Sequence, residues 1–324
     1  MLSFVFFSPN FFPTIKQTIR ANGKLLLSAE YFVLDGAKAL AIPTRLGQIF
    51  SFEKKKTDTI HWKSFDEKKM LWFEGIFSLE NFRAVQSSDR ATADRLSQIL
   101  AAIQNLQPNF FKKNHGWEII SQLEFPRNWG LGTSSTLIYA LAKWAEVDPF
   151  VLLEKTFGGS GYDIACAGAT SSIFYQIENK QPTWAYCDFS SNFADQLYFI
   201  FLGKKQNSRA GIQHYRSIEK PVNLVAQFSA FSNRMFEAKS LAEFENILEA
   251  HEALVSSTLH LQKVKNLYFS DYWGQVKSLG AWGGDFVIVT SHRPERDTKQ
   301  YFQEKGFEVF LKYNEMSRIP TEDK

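Results

Sequence analysis

Residues 126–136 read Pro-Arg-Asn-Trp-Gly-Leu-Gly-Thr-Ser-Ser-Thr. Two glycines and a run of hydroxyl side chains stand where a loop opens into the mostly apolar, helix-compatible segment 137–144. Glycine admits positive φ and close approach of the backbone to a ligand. A helix entered through such a turn points several N–H groups at one spot, and its dipole adds roughly half a positive charge there. Hydroxyls at Thr133, Ser134 and Ser135 can bond phosphate oxygens or meet Mg²⁺. The chemistry is that of a phosphate cradle in a nucleotide-using enzyme. The same residues also make an ordinary loop with Thr133 or Ser134 as helix cap. No Gly-Lys-Ser/Thr follows and no third glycine completes a dinucleotide fingerprint, so neither of those loops is present.

Two further glycine clusters flank regular elements. Residues 158–165 read Gly-Gly-Ser-Gly-Tyr-Asp-Ile-Ala. Asp163 opens an apolar helical stretch, where a carboxylate either accepts a proton from a substrate hydroxyl or caps the helix. Residues 279–289 read Leu-Gly-Ala-Trp-Gly-Gly-Asp-Phe-Val-Ile-Val, a tight turn into a buried strand.

Composition narrows the class. The chain has 324 residues, 44% of them hydrophobic, enough for one large or two medium domains. The 31 phenylalanines point to aromatic packing rather than function. A formal net charge of +3 is too small to argue for nucleic acid or an anionic membrane, and Lys54–Lys56 reads as a solvated hairpin end. Cys166 and Cys187 form neither a disulfide framework nor a metal spacing, and fit a reducing cytoplasm as small buried side chains. The six histidines show no zinc pattern. Residues 1–13 lack a basic flank and are interrupted by Pro9 and Pro13, so they read as an unstructured lead or an edge strand. No segment reaches the length of a membrane helix. A soluble, cytoplasmic protein is expected.

The elements that must position these clusters follow from periodicity. Strands are expected at 24–34, ending in the Asp35-Gly36 turn, and at 46–54, 59–65, 70–77 and 117–125. Leu96, Ile99, Leu100, Ile103 and Leu106 give helical spacing over 89–106. Asp148-Pro149 starts a helix that Gly158 and Gly159 end. Further strands are expected at 172–177, 183–189, 196–202, 286–290 and 308–312, with helices at 221–237, 241–258 and 294–305. The pattern is α+β given twice, split near 180–200.

Taken together, the clusters resemble the three ordered motifs of the GHMP kinases, named for galactokinase, homoserine kinase, mevalonate kinase and phosphomevalonate kinase. The first motif, G-K-x-x-x-x-G-E-H/Y-x-V-x-x-G, is similar to residues 23–36, with Ala29 for the second glycine. The second, P-x-x-x-G-L-G-S-S-A, is similar to 126–136, with Thr133 for the first serine and Ser135 for the alanine. The third, G-A-G-G-G-G/D-C, is similar to 280–286, with Trp282 for a glycine and Phe286 for the cysteine. Glu30-Tyr31, the surroundings of Asp163 and the Asp285 ending resemble the mevalonate and phosphomevalonate kinase branch. The resemblance implies a two-domain α+β architecture: an N-terminal ribosomal-protein-S5-like domain over 1–185 and a C-terminal ferredoxin-like domain over 186–324.

It also implies ATP and Mg²⁺, with a small alcohol or phosphate as acceptor. Mevalonate or 5-phosphomevalonate leads; a sugar or homoserine acceptor, or a catalytically silent nucleotide-binding relative, is the alternative. The implied nucleotide site is Pro126, Trp129, Gly130, Leu131, Gly132, Thr133, Ser134 and Ser135, with Ser134 facing Mg²⁺. Trp129 is either a ring for adenine to stack on or a core side chain. Asp163 would accept or orient the acceptor hydroxyl, and Lys24 would keep it ionised and offset charge on the transferring group. Glu30, Tyr31, Ser160, Gly161, Ser208, Arg209, Gly280, Ala281, Gly283 and Gly284 would border the acceptor. Glu154 is the nearest upstream acid for a second metal contact. The implied partner is a small-molecule substrate, without nucleic acid or membrane, and the implied state is a monomer or homodimer.

Overall fold

A seventeen-residue strand, β2 (Ala39–Lys55), is the spine of the N-terminal half. Along one edge it pairs with β1 (Lys16–Leu26). The other edge is shared between β6 (Gly116–Leu123), which takes residues 48–55, and β7 (Ile173–Glu178), which takes 39–41. With β3 (Thr59–Phe65), β4 (Leu71–Ser78), β5 (Ala84–Ser87) and β8 (Gln181–Tyr186) they form an eight-stranded sheet in the order β5-β4-β3-β6-β2-β7-β8, with β1 on β2. The computed structural model describes residues 16–189, 192–204, 208–280, 282 and 284–318. The expectation for residues 1–13 therefore lies outside the described residues.

Helices α1 (Arg90–Leu106), α2 (Thr133–Ala145), α3 (Pro149–Thr156) and α4 (Tyr162–Gly168) complete this half. Asp89 caps α1 by accepting from the Thr92 N–H at 2.8 Å, and Asp148 caps α3 in the same way. The expected face of α1, Leu96, Ile99, Leu100 and Ile103, is buried against Phe50, Phe52, Phe73 and Phe77 of the sheet. Phe52 stacks on Trp144 of α2 with centroids 4.5 Å apart. The phenylalanines thus form the core, as the composition suggests.

The second half is built on β9 (Leu197–Phe201), β10 (Val276–Ser278), β11 (Phe286–Thr290) and β12 (Phe310–Lys312), all paired antiparallel in the order β10-β11-β9-β12. Helices α5 (Ser208–Ser217), α6 (Leu224–Glu237), α7 (Leu241–Leu259) and α8 (Val264–Tyr268) separate β9 from β10. Helix α9 (Glu295–Glu304) separates β11 from β12. The sequence of strand, helix, strand, strand, helix, strand in this spatial order is the ferredoxin-like arrangement. A final turn, α10 (Tyr313–Met316), returns to the first sheet. There the Arg318 N–H donates to Pro43 at 2.9 Å and its guanidinium to Asn22 at 2.7 Å.

Several expected strands begin or end elsewhere. The chain leaves β1 at Leu26, and residues 32–35 form a 3₁₀ turn closed by Gly36 at φ 92°. Helix α5, which the periodicity does not announce, begins at Ser208. Cys166 and Cys187 are free and buried. Among the described residues no helix is long and apolar enough to cross a membrane.

Candidate active site

The glycine loop leaves β6 through a turn in which the Trp129 N–H donates to Pro126 at 3.0 Å. Gly130 and Gly132 take left-handed φ of 69° and 98°. Leu131 between them is fully buried and anchors the loop in the core. Gly132 is the N-cap of α2, and no side chain caps that helix. The side-chain cap allowed by the sequence is therefore not formed. The N–H groups of the first turn, at Thr133, Ser134 and Ser135, have no intrahelical partner and are left for a ligand. Ser134 is exposed, whereas Ser135 is buried and donates to the Gly132 carbonyl at 2.9 Å. Thr136 turns inward and donates to Gln48 at 2.7 Å.

Gly23 explains how Lys24 reaches this loop. The β1–β2 register shifts between Asn22 and Lys24, a bulge that re-aims the strand. The Lys24 N–H then donates to Leu131 and its ammonium to the Gly130 carbonyl, at 3.0 and 2.9 Å. A Cβ on Gly132 would lie 3.2 Å from Lys24 Cγ and 2.6 Å from Ser135 Oγ, so the loop and β1 are packed to glycine tolerance.

Asp163 stands in the first turn of α4, which Gly161 enters at φ 85°. Its Oδ1 accepts from the Ile164 N–H at 3.1 Å. Burial pushes the Asp163 carboxyl above its ordinary range, while the Lys24 charge and a Ser135 hydrogen bond oppose that rise. Lys24 and Asp163 share a cleft of about 440 Å³ with residues 130–135 and Ser160. They form no ion pair within 4.0 Å among the described residues, because the Lys24 ammonium is turned to Gly130. Arg127, Arg216, Ile212 and Asp285 also line this cleft. A Cβ on Gly130 would collide with the Asp285 carboxylate, so the third glycine cluster abuts the second.

Two cavities adjoin the cleft. One, of about 550 Å³, is walled by Trp62, Trp72, Leu96 and Leu137, and shares Arg127, Thr133, Ser134 and Phe157 with it. The other, of about 80 Å³, is lined by Leu26, Tyr31, Val33, Leu34, Tyr162 and Ile212, with Ser160 and Gly280 at its rim. Tyr31 stacks on Tyr215 of α5 at 5.7 Å. A Cβ on Gly211 would strike the Tyr31 hydroxyl, so that glycine lets α5 approach. Burial raises the Tyr31 phenol to about 12, and its hydrogen bond to the Trp282 backbone opposes the rise.

The remaining expected residues lie as follows. Ser208 and Arg209 open α5, but their side chains lie outside the described residues, as do Lys205–Asn207, Ala281 and Gly283. Pro126 shapes the loop without lining either large cavity, and Gly284 lines none of the cavities described above. Trp129 packs on Phe286 and Phe201, with centroids 5.4 and 6.1 Å away, so its ring belongs to the core rather than to a base site. Glu154 is exposed on α3 and does not line the cleft, because the helix buries Leu152 and Leu153 instead.

Glu30 departs furthest from its expected place. Its side chain is fully buried and turned away from the cleft, paired with Lys277 of β10. His251 Nε2 of α7 lies 3.4 Å from Glu30 Oε2 and accepts from the Ala29 N–H at 3.1 Å. Glu252 sits 4.0 Å from Lys277 and accepts from the Trp282 indole at 3.0 Å. Trp282 is therefore a buried donor in this cluster. Nothing near Glu30 in sequence signals this cluster, since Lys277 is 247 positions away.

Glu252 makes the cluster sensitive to pH. Burial pushes its carboxyl up to about 8, with Lys277 opposing and Glu30 adding to the rise. Burial holds His251 well below its ordinary range and raises Glu30. The unfolded chain releases the Glu252 proton near 4.5, whereas the folded protein keeps it to about 8. Its stabilising contribution is thus complete below about 4.5, declines as pH rises, and is gone above about 8. Glu252→Gln keeps an acceptor for Trp282 and removes the titration. Thermal melts should show the variant more stable than wild type above about pH 8, with the margin shrinking steadily on acidification. A margin that does not change with pH would contradict a protonated Glu252.

No protein-family model matches the sequence, and no curated protein matches it significantly. Solved structures match it well in shape. The mevalonate kinase of Methanococcus jannaschii superposes with TM-score 0.66 at 15% identity, over 92% of this chain and 97% of that one. The Streptococcus pneumoniae phosphomevalonate kinase, in complex with phosphomevalonate and AMPPNP, gives 0.66 at 16% identity, over 91% and 99%. The Lactococcus lactis galactokinase, complexed with galactose, gives 0.65 at 11% identity, over 94% of each chain. Over more than nine-tenths of its length, the chain has the fold of the GHMP kinases.

Proposed function

We propose that the chain is an ATP- and Mg²⁺-dependent kinase that phosphorylates a small alcohol or phosphate acceptor, with mevalonate or 5-phosphomevalonate preferred. The observation that carries this reading is the α2 N-terminus, free of any side-chain cap, facing a cleft that also holds Lys24 and Asp163. Phosphoryl transfer asks for positioning and charge neutralisation more than covalent help, and this cleft offers both. The first-turn N–H groups of α2 would hold the phosphate chain. The Trp62–Trp72 cavity is apolar and wide enough for the base. Asp163, with a carboxyl raised by burial, would take the proton of the acceptor hydroxyl. Lys24 would hold Asp163 ionised and bring positive charge to the transferring group.

The residues also fit a magnesium ion that arrives with the nucleotide. Among the described residues no three His, Cys, Asp or Glu side chains converge as a cage. The exposed Ser134 hydroxyl faces the cleft, which suits an ion held mostly by phosphates and water. Such an ion supplies charge neutralisation on the phosphate oxygens. Ser134 would be its protein contact, and Asp163 stays available to the acceptor hydroxyl.

The acceptor side favours an aliphatic substrate over a sugar. Leu26, Val33, Leu34 and Ile212 enclose a cavity of about 80 Å³ with few polar groups. In this reading the chain divides near residue 185 into a nucleotide-binding half and a half that closes over the acceptor. A coupled ADP-release assay across mevalonate, 5-phosphomevalonate, galactose and homoserine tests the assignment. ADP release should depend on one of the first two. Release driven by galactose or homoserine alone would overturn the acceptor preference, and none with any acceptor would overturn the kinase reading.

A further inference from the structure

We infer that Arg127 grips the phosphate chain of the nucleotide at the point where it leaves the base cavity, a role that rests on the nucleotide site proposed above. Arg127 lines both the apolar Trp62–Trp72 cavity and the polar cleft of the α2 N-terminus. A nucleotide laid with its base in the first and its terminal phosphate in the second must pass this residue. Its guanidinium lies 3.8 Å from the centroid of the Trp72 ring. Stacking of this kind fixes the plane of a long side chain while leaving its in-plane donors open.

Those donors have no protein acceptor. Among the described residues Arg127 makes no side-chain hydrogen bond and no ion pair within 4.0 Å. Asp89 feels its charge but is occupied in capping α1. Arg95, which lines the same cavity, is different. It lies over Phe157 at 4.8 Å and donates to the Thr156 carbonyl at 3.3 Å, so its fork is used to tie α1 to the end of α3. Arg127 is thus an exposed side chain laid on an aromatic ring, with no described protein group accepting from its fork, at the junction of the two cavities. A guanidinium fork matches phosphate oxygens in a two-point contact. Lys24 and Ser135 line the cleft but not the base cavity, so Arg127 stands with the Thr133 and Ser134 N–H groups where the inner phosphates would pass.

Calorimetric titration of the full chain with MgADP, MgATP and adenosine tests this. Arg127→Ala should weaken MgADP and MgATP by about 10- to 100-fold, the loss expected for a charge-assisted contact. Adenosine affinity should stay within about two-fold of wild type, since the apolar walls Trp62, Trp72, Leu96 and Leu137 remain. Arg127→Lys should recover part of the loss, because it keeps the charge and loses the fork. An Arg127→Ala protein that binds MgADP as tightly as wild type overturns the inference and leaves the kinase reading standing. Equal weakening of adenosine and MgADP also overturns it, since Arg127 would then support the base cavity. Wild-type protein that binds no nucleotide overturns the nucleotide site itself, and the inference with it.

Discussion

Asp163→Asn lowers kcat by about a hundred- to ten-thousand-fold, the range expected when a positioned general base is lost. MgATP affinity changes little, because the side chains and N–H groups of residues 130–135 are untouched. The wild-type pH profile carries the same signature. Burial raises the Asp163 carboxyl, so the acid limb of kcat/KM lies above the ordinary aspartate value of 3.8. Lys24 opposes that rise. Lys24→Met should therefore move the acid limb to still higher pH, besides lowering kcat. Steady-state kinetics across pH checks both statements. Full activity in Asp163→Asn would remove Asp163 from the chemistry.

Lys277→Met destabilises the fold by roughly 3–5 kcal/mol, the cost of leaving a buried carboxylate without its partner. Glu30 and Lys277 are both fully buried, so water cannot replace the lost cation. The backbone around Glu30 adds to the effect. Ala29 and Tyr31 hold left-handed φ of 60° and 64°, conformations that non-glycine residues keep only when neighbours enforce them. The Glu30–Lys277 pair and the His251 bond to the Ala29 N–H are those neighbours. Tyr31 lines the small cavity proposed for the acceptor, so loosening this cluster should also raise the KM for the acceptor. Urea denaturation measures the stability term. The double variant Glu30→Gln/Lys277→Met should recover most of it, since no unpaired charge then remains. A single variant within 1 kcal/mol of wild type, on the order of ordinary surface changes, would contradict the account.

The parts of this site that were legible in the sequence are those written in local residue types. Gly130 and Gly132 announce positive φ, and the serines that follow announce a helix start. Asp89 and the spacing of Leu96, Ile99, Leu100 and Ile103 announce α1, including its cap. The bulge at Gly23 is hidden, since it depends on how β1 meets β2 and residue 131. Helix α5 is hidden for a related reason. Its sequence is polar and interrupted by Gly211, and that glycine is explained by the Tyr31 hydroxyl from another part of the chain. With α5 unread, Ile212 and Arg216 could not be assigned to the cleft.

Glu30 shows how a motif can mislead about a side chain. An acid beside Tyr31 and downstream of Lys24 reads as a substrate contact. The 3₁₀ turn at 32–35 and the positive φ values on either side turn it instead into the interior, where α7 and β10 meet it. Trp282, which departs from the glycine of the resembled motif, belongs to the same cluster through Glu252. Trp129 is likewise a core ring of the second half, against Phe201 and Phe286. Bulk at these positions is therefore accommodated away from the cleft.

Transfer of the labelled γ-phosphoryl group of ATP to mevalonate or 5-phosphomevalonate, followed in wild type and in Asp163→Asn, tests the central claim most directly. Wild-type protein should place the label in one of these acceptors, and Asp163→Asn should lose that transfer while still binding MgATP. Equal labelling by both proteins, or no labelled acceptor from wild type, would contradict it.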